Sequence, residues 1–221
     1  MFEKKKQPLT ERERQVQIDL RQRCAVVGSR FNLLFWISIG SLIMSLASTI
    51  IIYLLKSMDA LKWAQILGFV TSVLFAVVLF SLSKFNDNFQ AAAIAYVFAQ
   101  GCSFVQNMAG SSAGLSIVFS LASSLLSIAY VMKLTTGMEE CFNVVDGYMA
   151  DSWASFRKAF VVVMIITVAC VILAFVPILN LLALIGSLGT VVAAIVLAIW
   201  QLVLLFRSAE TMLRFSKSPV E

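Results

Sequence analysis

Inside an otherwise apolar stretch, Tyr96, Gln100, Ser103 and Asn107 recur at i, i+4, i+7 and i+11, which puts all four on one face of a helix. Their groups hydrogen-bond and carry no charge. Such a face can hold a neutral or zwitterionic ligand or line a narrow pore. It can also join one helix to the next by hydrogen bonds worth about 0.6 kcal/mol each in membrane bundles, and this plainer role is the preferred one. In either role the face must turn toward other helices or a wet cavity, because unpaired polar groups are costly in hydrocarbon.

Little other chemistry is available. The chain contains no histidine. That removes His-based acid/base catalysis, most transition-metal sites and the usual Ser-His and Cys-His nucleophile pairs. No carboxylate lies within an apolar run, so aspartyl-type membrane catalysis and metal-dependent head-group transfer have no residues to work with. Gly186-Ser-Leu-Gly189 sits in an apolar helix without a lysine and is no phosphate cradle. Cys24, Cys102, Cys141 and Cys170 show no CxxC pairing and read as packing residues rather than a disulfide or zinc site. The expectation is a non-enzymatic protein with no catalytic residues, no metal and no cofactor.

A second constellation is apolar. Met138, Phe142, Val145, Met149, Trp153, Phe156 and Phe160 keep one face for about six turns. The opposite side carries Glu139, Glu140, Asp146 and Asp151. Helices that lie on a membrane normally present Lys and Arg to anionic lipid, so an acidic helix is expected to dock on protein instead. The groove of a partner and this chain's own basic N-terminal helix are the two destinations. Phe142, Val145, Met149 and Trp153 are the candidate partner-binding residues.

The elements that must position these groups follow from composition. Of the 221 residues 60% are hydrophobic and 13% charged, with a mean hydropathy of +0.92. Soluble domains hold about 45–50% apolar and about 25% charged residues. Apolar runs at 33–55, 63–83, 91–109, 114–132, 159–180 and 181–206 contain no Asp, Glu, Lys or Arg. About 20 apolar residues cross a bilayer as helix, and a charge at its centre costs at least about 2.5–3.5 kcal/mol. The stretch 159–206 would be about 72 Å of helix, so it is divided near Pro177 and Asn180. The fold class is therefore all-α, a polytopic, multi-pass integral membrane bundle of about six transmembrane helices.

Charge sets the orientation. With six spans and the N-terminus inside, 15 of the 17 basic residues lie on the inner side and Lys56 and Lys62 on the outer. Both termini are then cytoplasmic. The net charge of +5 reflects this bias; acids dilute the basic tail, and nucleic-acid binding is not expected. Thr10 and Glu13 fit a capping box, after which Val16, Leu20, Cys24, Val27 and Phe31 form an amphipathic stripe. The first apolar run is too long for a cleavable signal and is expected to remain as an anchor.

The resulting organisation is a basic tail with an amphipathic helix (1–32), four spans (33–132), an acidic amphipathic segment (133–158), a two-span hairpin (159–206) and a basic tail (207–221). Ser41–Thr49 also echoes Ser116–Ser124, faintly, as an inverted repeat would. Small-residue ladders such as Ala91, Ala95 and Ala99 suit close packing within one bundle or between copies of the chain. The functional expectation is a subunit or adaptor of a complex in the bacterial cytoplasmic membrane, with the lipid bilayer around it and a protein partner at its cytoplasmic face. The rival is a permease or channel subunit for a neutral or zwitterionic small molecule, paired with a separate ATPase.

Overall fold

The computed structural model describes residues 10–55, 58–108, 113–174 and 180–218. Among them there are six helices and no strand: α1 (Glu11–Leu55), α2 (Met58–Ser81), α3 (Asp87–Met108), α4 (Ala113–Phe142), α5 (Gly147–Ala174) and α6 (Asn180–Lys217). Among the described residues, four stretches are long and apolar enough to cross a membrane: Glu11–Ala47, Val118–Phe142, Gly147–Cys170 and Leu184–Lys217. Ile66–Ser81 is a shorter apolar helix.

The helices run up and down in sequence order, and α1 closes the circle against α6. Each helix packs only on its two neighbours in this ring. The α1–α6 seam depends on Gly28. A Cβ there would lie 3.0 Å from the Met212 Cβ and 3.2 Å from the Leu213 backbone nitrogen, so only glycine lets the two helices approach this closely.

The well-buried side chains gather at one end. They come from the N-terminal halves of α1, α3 and α5 and the C-terminal halves of α2, α4 and α6. There Phe31 reaches across the ring to Phe89 of α3 (centroids 6.1 Å apart) and to Phe142 of α4 (6.2 Å, stacked), joining helices whose backbones do not touch. Each buried aromatic ring of this kind contributes about 1.5–3 kcal/mol. At the other end Ile43, Leu46, Ile50, Leu184 and Leu188 point outward from the ring, the surface a helix presents to hydrocarbon.

Polar contacts fasten the packed end. The Asn86 side chain donates to the Glu140 carboxylate at 2.7 Å and Asn88 donates to the same oxygen at 2.9 Å, tying the α2–α3 turn to α4. Arg157 of α5 pairs with Glu139 at 2.7 Å and donates to Thr136 Oγ1 at 3.0 Å. The buried Trp153 indole donates to Ser208 Oγ of α6 at 2.9 Å.

One expectation is carried further and another changes. The N-terminal amphipathic helix and the first span are one continuous helix of 45 residues, about 68 Å long. The capping box that starts it is present: Thr10 N donates to Glu13 Oε2 at 2.9 Å, and Glu13 N to Thr10 Oγ1 at 3.4 Å. The stripe Leu20, Cys24, Val27 and Phe31 packs inward, whereas Val16 is exposed. The acidic segment 133–158, in contrast, is not one helix. The α4 helix runs on to Phe142, residues 143–146 form a turn, and α5 begins at Gly147. Asp146 stops the continuation: its Oδ1 accepts from Tyr148 N at 3.0 Å and caps the new helix.

Candidate functional site

Farther along the bundle from the Phe31–Phe89–Phe142 plug, the ring holds an open cavity of about 350 Å³. Five of the six helices wall it. The α1 wall is Ile37, Ser38, Ser41, Leu42 and Ser45, opposed by Ala198, Gln201, Leu202 and Leu205 of α6. Thr71 and Phe75 of α2, Tyr96 of α3 and Tyr130 of α4 complete it. No wall residue is charged. Leu42 is 48% exposed although it faces the cavity, which marks the mouth as lying away from the packed end.

Aromatic rings make the floor. Tyr96 and Tyr130 stand with centroids 4.9 Å apart, and Phe75 lies 5.0 Å from Tyr96. Gln201 of α6 lines the same cavity as Tyr96 and Tyr130. On the walls, Ser38 Oγ donates to the Leu34 carbonyl at 2.8 Å and Thr71 Oγ1 to the Gly68 carbonyl at 2.9 Å. Serine and threonine inside helices commonly bond back to the preceding turn in this way.

The four residues of the polar stripe separate. Tyr96 faces the cavity. Ser103 does not: its hydroxyl lies 2.7 Å from Ser123 Oγ on α4, and Ser123 Oγ also donates to the Ala99 carbonyl at 3.1 Å. That contact is helix-to-helix adhesion, next to the buried Ala95 and Ala99 of the small-residue ladder. Gln100 is half-buried and is not part of the cavity wall. The Asn107 side chain lies outside the described residues.

The candidate partner-binding residues are placed differently from the expectation. Phe142 and Trp153 are fully buried and Met149 nearly so, all within this chain's own core; Val145 is half-buried against it. Their apolar surface is consumed by Phe31, Phe156 and the neighbouring helices, which leaves nothing for a partner's groove to cover. Of the two destinations foreseen, the apolar face meets the chain's own N-terminal helix. Glu139 and Glu140 are likewise engaged internally.

Two thiols sit in the packed end. Cys24 is buried and Cys141 half-buried. The two cannot form a disulfide in this arrangement, because no Cα of α1 lies within 8 Å of one on α4 and a disulfide needs less than about 7 Å.

Most of the cavity was not foreseen. A signal existed: Ser38, Ser41 and Ser45 follow i, i+3, i+7, and Gln201 is the one amide in the run 181–206. Serine is common in apolar helices, so the signal stands out only once the ring sets these faces opposite each other. Of the echoed serines, Ser41 and Ser45 line the cavity, and Ser120 and Ser124 do not. No protein-family model matches the chain, and searches of curated proteins and of solved structures find no match either.

Proposed function

We propose that this chain is a six-span, non-enzymatic integral membrane protein of the bacterial cytoplasmic membrane, with its packed basic end in the cytoplasm, and that its ring receives and passes a small uncharged molecule. One observation carries the reading: an uncharged cavity, lined by hydroxyls and an amide from five helices, at a depth where polar groups otherwise need a structural reason. The absence of charge from the wall disfavours ion conduction, which uses charged or carbonyl-lined rings. The Phe31–Phe89–Phe142 plug makes the form described here closed on the basic side and open on the other, one of the two states alternating access requires.

The adaptor reading keeps one observation in its favour. Val144 of the α4–α5 turn and Tyr148 at the start of α5 are each 72% exposed, and Tyr148 lines a surface hollow with Arg207 and Arg214. A partner would have to use these residues rather than the buried Phe142 and Trp153.

Uptake into liposomes containing the purified chain tests the transport reading. Labelled neutral solutes should enter faster than into protein-free vesicles, and Ser41→Trp, which fills the mouth, should abolish the difference. Equal uptake with and without protein for every neutral solute removes this reading.

A further inference from the structure

The direction of the hydrogen bonds around the cavity narrows the ligand. Ser38 and Thr71 each spend their hydroxyl proton on a backbone carbonyl of the preceding turn. What Ser38 and Thr71 turn to the interior is therefore oxygen lone pairs. A hydroxyl whose proton is committed can still accept. Ser41 and Ser45 add two more hydroxyls to the same wall.

We propose that the cavity selects a neutral, donor-rich polyol of about hexitol size; this deepens, and rests on, the reading of the ring as a passage for an uncharged molecule. Three features of the wall converge on that class. The lone pairs of Ser38 and Thr71 reward a ligand that brings O–H donors, whereas an ether leaves them without partners. An uncharged wall gives an ion or zwitterion no counter-charge for the hydration it sheds. The Tyr96 and Tyr130 rings, tilted by 54°, give the C–H faces of a polyol an apolar floor. Filled at interior packing density, about 350 Å³ accommodates on the order of ten to fifteen non-hydrogen atoms.

The test is equilibrium binding to the full chain in lipid nanodiscs, read by saturation-transfer NMR. Three probes of similar size are used: sorbitol, rich in donors; triethylene glycol dimethyl ether, with acceptors only; and gluconate, a charged analogue of sorbitol. Sorbitol should bind at least tenfold more tightly than either of the others. Thr71→Val, which keeps the side-chain shape, and Ser38→Ala should each weaken sorbitol about fivefold, the loss expected for one hydrogen bond. Ether or gluconate binding as tight as sorbitol, or sorbitol binding indifferent to both substitutions, overturns the proposal. Labelled-sorbitol uptake into proteoliposomes separates the two readings. Selective binding without uptake removes the passage and keeps the site, whereas uptake of neutral solutes regardless of donor content keeps the passage and removes the selectivity.

Discussion

Truncating Phe142 to alanine distinguishes a core residue from a partner-binding one. The ring is fully buried and stacks on Phe31 with an interplanar angle of 28°, and Phe31 in turn meets Phe89. Phe→Ala in a packed core costs about 3–5 kcal/mol, part of it transfer free energy and part the cavity left behind. The upper half of that range is expected here, because three helices anchor the ring's neighbours and restrict collapse. At roughly 2–4 °C per kcal/mol for a chain of this size, the midpoint of thermal unfolding should fall by on the order of 10 °C. Circular dichroism of the purified protein in mild detergent measures it, with Tyr148→Ala as the exposed control on the same hairpin, expected to shift the midpoint by less than about 2 °C. A Phe142→Ala protein that melts like the parent would refute the plug, and loss of a co-purifying protein alongside it would restore Phe142 to a partner's pocket.

Gly28→Leu should separate α1 from α6 and destabilise by about 1–3 kcal/mol through overpacking. Gly40→Ala, where a Cβ meets nothing within 4 Å, should stabilise slightly because alanine is the better helix former; chemical unfolding of both variants checks the contrast, and equal effects would remove the close seam. Cys141 should be alkylated far more slowly in the folded protein than after unfolding, because its side chain is half-buried against the core. Peptide mass spectrometry after iodoacetamide treatment reads the site, and equal labelling of folded and unfolded protein would contradict its burial. In a variant without native cysteines, Ser57→Cys should react with an impermeant maleimide in whole cells and Ser218→Cys only after lysis; labelling of position 218 in intact cells would overturn the six-span orientation.

Helical class is readable from the chain itself, because it depends on local sequence: unbroken apolar runs and their lengths. Pro177, on which the division of the last run rests, lies outside the described residues. The capping box at Thr10 and Glu13 is equally local, a matter of two side chains within one turn. Periodicity also identified the inward faces of Leu20–Phe31 and of Met138–Phe156.

What periodicity could not supply is continuity and partners. A turn of four residues at 143–146 leaves the apolar face in phase, so two helix ends packed on one core read as a single amphipathic helix. The face that looked available to another protein was covered by Phe31, more than a hundred residues earlier in the chain. The cavity is tertiary in the same sense. Ser38, Thr71, Tyr96, Tyr130 and Gln201 come from five helices, and nothing in their separate spacings relates them. Only closing α1 against α6 turns these faces toward one another, and only packing decides that Tyr96 meets the cavity while Ser103, two turns along the same face, meets Ser123.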